Sequence, residues 1–242
     1  MRRLEGKVAI VTGAARGMGE THVRAFLEEG AKVVFTDILE EEGKALQEEL
    51  GEDTLFLTHD VREASAWEKV VEKTKETFGN VDILVNNAGI SVAKSMFDMS
   101  EEEYRRIFEI NQLSVFLGMK LVAPIMNKGG SIINISSING LVGGAVGYTD
   151  TKFAVRGMTK AASVELAYRG IRVNSVHPGV IETPMVTEGD AVEQITQFAQ
   201  TIPMKRMAQP EEVTKMVVFL ASDDASYSTG SEFVIDGGLT AN

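Results

Sequence analysis

The chain has 242 residues, with 24 basic against 35 acidic side chains, a formal net charge of −11 and no cysteine. Disulfides and thiolate zinc sites are thereby excluded. The negative field disfavours nucleic acid, because the basic residues are scattered among acids, as in Glu101-Glu102-Glu103-Tyr104-Arg105-Arg106, and form no patch. No apolar run approaches the ~18 residues of a membrane span. The apolar stretch 8–11 is too short for a secretory core, so the expected setting is the cytoplasm, with no membrane partner.

Short β-branched runs alternate with amphipathic stretches from the first residues onward. The first predicted strand, 7–12, is continuously apolar, as expected where helices cover both faces of a sheet. It runs through Thr12-Gly13-Ala14-Ala15-Arg16-Gly17-Met18-Gly19 into a predicted helix over 17–29. Glycines at 13, 17 and 19 permit a tight turn and let a pyrophosphate approach the amide end of that helix. Strand 32–37 ends on Asp37, a carboxylate placed to accept hydrogen bonds from an adenosine ribose. A 2′-phosphate there would meet like-charge repulsion, so Asp37 points to NAD. Arg16, a cation within the glycine loop, points the other way, to NADP, which is the less favoured reading. Helix 40–50 and strand 54–58 follow. Asp60-Val61, just beyond that strand, is placed to hold the adenine edge, and helix 64–78 carries Trp67 as a packing residue.

Strand 81–85 leads into Asn86-Asn87-Ala88-Gly89. A long helix is predicted over 100–127, opened by the capping box of Ser100 and Glu103. Asn111, polar and of low helix propensity, is out of character within it. Strand 131–136 closes on Ser136-Ser137. Helix 148–168 opens as Tyr148-Thr149-Asp150-Thr151-Lys152, and the i, i+4 spacing puts phenol and ammonium on one face. A free phenol ionises near ~10, and lowering that by ~3 units takes about 4 kcal/mol. One positive charge at ~4 Å supplies about that much at an effective dielectric of ~20. Lys152 is therefore expected to do most of the work of making Tyr148 a usable acid/base. Strand 171–176 is followed by Pro178-Gly179. The stretch 183–209 then breaks the alternation before helix 210–221, signalled by Pro210-Glu211-Glu212, and strand 232–236. A long insertion at the carboxyl end of a strand reads as a substrate-binding loop or lid. Its Met185, Val186, Phe198, Ile202 and Met204 either form an apolar substrate wall or anchor the loop to the body.

These elements make one domain over 1–242: an α/β, doubly wound, seven-stranded parallel sheet with helices on both faces. The candidate motifs fall at or beside the carboxyl ends of strands, where open sheets of this kind bind ligands. His22, His59 and His177 show no ligand spacing, and no metal site is expected from them.

These motifs, in this order from Gly6-Lys7-Val8-Ala9 to Asp236-Gly237-Gly238, give a chain that resembles the short-chain dehydrogenase/reductase family and its Rossmann-type fold. Val173-Asn174-Ser175-Val176-His177-Pro178-Gly179 and the run from Gly230 to Gly238 are similar to bacterial NAD-dependent hydroxysteroid and secondary-alcohol dehydrogenases. The resemblance implies an enzyme that moves hydride between NAD(H) and a small-molecule secondary alcohol or ketone, assembled as a homotetramer. It implies Tyr148 as the acid/base, Ser137 as the serine on the substrate oxygen, and Lys152 as the group that tunes the phenol and grips the nicotinamide ribose. It gives Asn111 the water that links Lys152 to solvent. Asn87, Ala88 and Gly89 would line the centre of the cofactor while Asn86 braces the sheet. Ile181 and Thr183, after Pro178-Gly179, would meet the carboxamide. Ser137 and Tyr148 stand closer in sequence than in many members, which leaves Ser136 as an alternative, although Ser-Ile-Asn-Gly favours Ser137. Asp150 is expected to point away from the site. Some members hold magnesium through the C-terminal carboxylate, here that of Asn242. Two rival readings remain. One is a 3-oxoacyl-thioester reductase of fatty-acid synthesis, opposed by Asp37 and the net charge. The other is a non-catalytic NAD-sensing or scaffold protein, opposed by the presence of Ser137, Tyr148 and Lys152.

Overall fold

The computed structural model describes residues 2–92, 94–188 and 192–241. Its centre is a seven-stranded, all-parallel sheet in the order β3-β2-β1-β4-β5-β6-β7. The strands are β1 Val8–Thr12, β2 Lys32–Asp37, β3 Thr54–Thr58, β4 Val81–Asn86, β5 Met126–Ile135, β6 Arg172–Pro178 and β7 Glu232–Ile235. The chain winds outward from β1 to β3, then returns to β4 on the other side of β1. That reversal opens a crevice beyond the carboxyl ends of β1 and β4.

Alternate residues of each strand serve opposite layers, because side chains on a strand repeat every second residue. Ala9, Val11, Val33, Phe35, Ile83 and Val85 pack on one face with Val23 and Phe26 of α1 (Gly17–Glu28), Leu46 of α2 (Glu40–Leu50) and Val213 and Val217 of a C-terminal helix, Pro210–Ala221. Ile10, Val34, Leu84 and Ile132 pack on the other, against Trp67 and Val70 of α3 (Ala64–Thr77) and against two later helices through Val115 and Val155. Trp67 is fully buried, and its indole N–H donates to the Val61 carbonyl at 2.9 Å, which fixes the chain just beyond β3.

The predicted helix over 100–127 is one helical run with a π turn inside it. It runs as α4 (Glu101–Phe108), a π-helical turn (Glu109–Leu113) and α5 (Ser114–Val122), followed by a 3₁₀ turn at Ala123–Ile125 that contains Pro124. Proline cannot donate the next helical hydrogen bond, and the chain enters β5 at Met126, earlier than expected. The catalytic candidates Tyr148 and Lys152 open α6 (Tyr148–Leu166).

The excursion 183–209 carries two helices, α7 (Pro184–Thr187) and α8 (Val192–Ala199), before α9 (Pro210–Ala221). Its two ends are pinned together: Ile181 bridges Ala208, with Glu182 N donating to Ala208 O at 2.9 Å and Ala208 N to Val180 O at 3.0 Å. The long insertion therefore leaves and rejoins the body at one point. Among the described residues no helix is long and apolar enough to cross a membrane.

Candidate active site

One cleft of about 1360 Å³ lies over the crevice, lined from Asp37 and Asp60 at one end to Tyr148, Lys152 and Met185 at the other. Its floor begins with the glycine loop. Gly13 has φ +63°, and a Cβ there would stand 2.7 Å from Ala88 Cα, so only glycine lets the loop lie against the segment after β4. Asn87 locks the two together, donating through Nδ2 to Thr12 O (3.0 Å) and Gly13 O (2.9 Å). Thr12 Oγ1 accepts from the amides of Asn87 and Ala88, both at 3.1 Å. Among the described residues no side chain caps the first turn of α1, so the amides near Met18 and Gly19 keep their capacity for an anion.

Asp37 is oriented by its neighbours. It accepts from Ala15 N (3.1 Å), Ile38 N (2.8 Å) and Leu39 N (3.2 Å). Arg16 does not face it as a partner. Its guanidinium instead bonds Glu188, at the end of the α7 segment, at 3.1 Å. Asp60 is gripped by Arg62 at 2.6–3.1 Å, which holds its carboxyl below the usual range. Val61 lines the same end.

At the other end, β5 and α6 bring Ser137, Tyr148 and Lys152 together. The two serines separate clearly. Ser136 Oγ donates to the Lys152 carbonyl at 3.0 Å and serves the packing of α6. Ser137 Oγ accepts from Asn139 N at 3.1 Å, and the serine lines the cleft together with Tyr148. Lys152 is buried, donates to Ile135 O at 2.9 Å, and sits 5.5 Å from the centroid of the Tyr148 ring.

The electrostatics differ from the sequence expectation. Burial pushes the Tyr148 phenol up, opposed only by the Ser137 side chain, and no lowering by Lys152 accompanies it. Burial also lowers Lys152 to about 8. The physical reason is that both groups are withdrawn from water, while the ammonium is committed to a carbonyl and reaches the ring face, not the phenol oxygen.

Asn111 lies in the π turn. Its side chain accepts from Ile90 N and donates to Ile90 O, each at 2.8 Å, so the amide clamps the segment after Gly89. Gly89 lies between the two polar groups: a Cβ there would be 3.4 Å from Asn111 Oδ1 and 3.5 Å from Lys152 Nζ. Asp150 turns away from the site, accepting from Gly147 N at 3.0 Å and Tyr104 Oη at 3.3 Å.

Behind the reacting end, Pro178 and Gly179 close β6 against β7, with Gly179 N on Ile235 O at 2.9 Å. Ile181 is buried, and Thr183 immediately precedes α7 next to Gly17 of the glycine loop. The five apolar residues of the excursion divide. Met185, Val186 and Phe198 line the cleft, joined by Ile195, which sequence reasoning did not single out. Ile202 is buried and Met204 packs on Gly237, so these two anchor the loop. Asn242, whose carboxylate corresponds to the one that holds magnesium in some family members, lies outside the described residues. His177 was set aside on sequence grounds, yet its Nδ1 stands 2.8 Å from Ser137 O. Only its place beside Pro178-Gly179 hinted at this.

The residues present suit a dinucleotide: uncapped helical amides, a close-packed glycine loop, and an Asn87 Oδ1 that is buried without a partner. A family profile described as Enoyl-(Acyl carrier protein) reductase matches residues 13–240. A 3-alpha-(or 20-beta)-hydroxysteroid dehydrogenase of Mycobacterium tuberculosis is 51% identical, over 99% of this chain and 91% of its own. A cyclopentanol dehydrogenase of Comamonas is 47% identical over the whole of both chains. A solved Brucella melitensis structure, described as short-chain dehydrogenase/reductase SDR:Glucose/ribitol dehydrogenase, superposes with a TM-score of 0.94 at 34% identity, covering 98% of each chain. The chain belongs to the short-chain dehydrogenase/reductase family. It is an oxidoreductase of that family, built to use a nicotinamide cofactor. A further relative, of Lentilactobacillus kefiri, is called an NADP-dependent (R)-specific alcohol dehydrogenase and is 43% identical over 99% of this chain and 98% of its own. Membership therefore does not choose between the two dinucleotides.

Proposed function

We propose that the protein oxidises a secondary alcohol to its ketone, or the reverse, with NAD(H), on a ring or chain that is largely apolar. The observation that carries the reading is the convergence of Ser137, Tyr148 and Lys152 at one end of a cleft whose other end is Asp37. Asp37, already oriented by three amides, would accept the ribose hydroxyls, and Arg16 is drawn away to Glu188, so both features support NAD over NADP. Gly13, Gly17, Met18 and Gly19 would seat the pyrophosphate, and Asp60 and Val61 the adenine. Asn87, Ala88 and Gly89 would line the middle, with Pro178, Gly179, Ile181 and Thr183 beside the nicotinamide.

When bound, the cofactor supplies the hydride acceptor and a positive ring near the phenol. Ser137 and Tyr148 hold the alcohol oxygen, and Tyr148 takes its proton. Lys152 would hold the ribose with the ammonium hydrogens that Ile135 does not use. The turn around Asn111 would seat water leading from Lys152 to solvent. The excursion 183–209 covers this end as a lid, with Met185, Val186 and Phe198 excluding water.

The relatives' names point to hydroxysteroids and alicyclic alcohols as substrates. The family profile's description favours an acyl-thioester reading as a second possibility, but an acidic chain offers an acidic carrier no complementary surface. Exposed Phe116, Phe153 and Val164 on α5 and α6, and the unpaired edge of β7, support a homotetramer. A chain without cysteine suits a reducing compartment, and the cytoplasm is the proposed one. The test is to mix the protein with NADH or NADPH and a panel of alicyclic ketones and 3-oxoacyl thioesters, following absorbance of the reduced cofactor. Consumption of NADH with a ketone is expected. Turnover confined to NADPH and thioesters would contradict the reading.

A further inference from the structure

We propose that His177 is a positioning residue for the reaction, holding the main chain of Ser137 so that the serine hydroxyl stays on the substrate oxygen. The inference rests on the alcohol-oxidising reading above.

The β5–β6 ladder pairs Ser131 with Arg172 through Ile135 with Val176, and one further bond joins Ser136 N to Val176 O at 2.8 Å. There β5 ends, and Ser137 continues in extended backbone, φ −167° and ψ 166°. The imidazole takes over where the ladder stops. Its Nδ1 lies 2.8 Å from Ser137 O and its Nε2 2.9 Å from Ser175 Oγ. A carbonyl only accepts, so Nδ1 carries the hydrogen. In the neutral ring Nε2 is then the acceptor, receiving the Ser175 hydroxyl. Burial favours that neutral form, since His177 is fully enclosed and pushed below its ordinary value.

Three restraints thus meet at Ser137, since Gly140 N also donates to its carbonyl, at 2.9 Å. The imidazole holds its carbonyl, and Asn139 N holds its Oγ at 3.1 Å, leaving the hydroxyl hydrogen for the phenol or the substrate. The other two buried histidines differ. His22 and His59 bond Thr214 and Thr36 through Nδ1, and each leaves Nε2 without a partner. His177 has both nitrogens engaged, and one of them reaches the reacting end.

The test is a double-mutant cycle between His177 and Ser137, read as kcat for a ketone the wild type reduces, with NADH affinity and melting temperature measured alongside. His177→Leu should lower kcat roughly tenfold to a hundredfold, as small misplacements of reacting groups do, and leave NADH affinity unchanged. His177→Asn, whose amide can donate from the place of Nδ1, should restore most of the loss. In a Ser137→Ala background His177→Leu should cost nothing further, because the group it positions is gone. Equal cost in both backgrounds would make the role merely structural and overturn the proposal. Should His177→Leu no longer bind NADH, the cycle is run with Ser175→Ala, which keeps the imidazole but frees its Nε2. A smaller loss that vanishes with Ser137→Ala supports the proposal, and an additive or absent effect overturns it. A wild type inactive on every alcohol and ketone would sink the underlying reading as well, whereas an active wild type with additive costs defeats this proposal alone.

Discussion

Tyr148 and Lys152 share a helix face, as their spacing requires, but proximity is not the same as activation. An ammonium bonded to the phenol oxygen would pull the phenol down. Here the ammonium bonds Ile135 O and lies over the ring, so burial of the phenol prevails and holds it above its ordinary value. At neutral pH Tyr148 is therefore protonated in the free enzyme, ready to act as an acid but not as a base. The positive charge brought by the oxidised cofactor is needed for the reverse direction. It follows that kcat for alcohol oxidation should rise with pH through the neutral and alkaline range, while kcat for ketone reduction stays level there, because the phenol that donates the proton is held above its ordinary value. Initial rates in both directions over one pH series check this, and parallel profiles would contradict it. Much of the site was legible at this scale because each signal is local: three glycines after a strand, an acid at a strand end, a phenol and an amine one turn apart. The contact between His177 and Ser137 was not, because it joins residues 40 apart on neighbouring strands, and no local pattern records it.

The element that departs most from its sequence pattern is the helix 100–127. Its apolar periodicity continues unbroken, so the pattern alone predicts one rod. Asn111 was the visible irregularity, and the structure shows its use: the π turn carries an amide that pairs with both polar groups of Ile90. Asn111→Asp keeps the acceptor for Ile90 N but loses the donor to Ile90 O. Stability should fall by about 1–3 kcal/mol, the usual cost of leaving such a group unpaired, and the shift of the denaturant midpoint measures it. An unchanged midpoint would show that the clamp carries no weight. The early start of β5 was also hidden, since Met126–Gly130 lacks a β-branched run and joins the strand through one pair, Met126 with Val81, before the register shifts to Ser131 opposite Ile83. The strand ends β1, β2 and β3 were plain in the sequence because each closes on a polar or turn residue after a continuous apolar run.

At the scale of the molecule, strand and helix alternation made the doubly wound sheet legible, and the reversal between β1 and β4 placed the cleft. The same buried layers carry a cost. Burial lowers His22 to about 3 and His59 to about 4, from an ordinary value of 6.5. Below 6.5 the unfolded chain binds protons that the folded one refuses, so stability must fall as pH drops from about 6.5 toward 4. Above about 5 most carboxylates stay ionised in both states, which leaves the histidines to set the slope there. Melting temperature should decline between pH 6.5 and 5, and His22→Gln should flatten that decline. An identical slope in the variant would remove His22 from the explanation. The central claim, that Tyr148 is the proton-transfer group above a bound dinucleotide, is tested most directly by Tyr148→Phe. Turnover of an alcohol that the wild type oxidises should fall by about 10²–10⁴-fold, with NADH binding, followed by fluorescence, intact. Turnover at the wild-type rate in that variant would contradict the account.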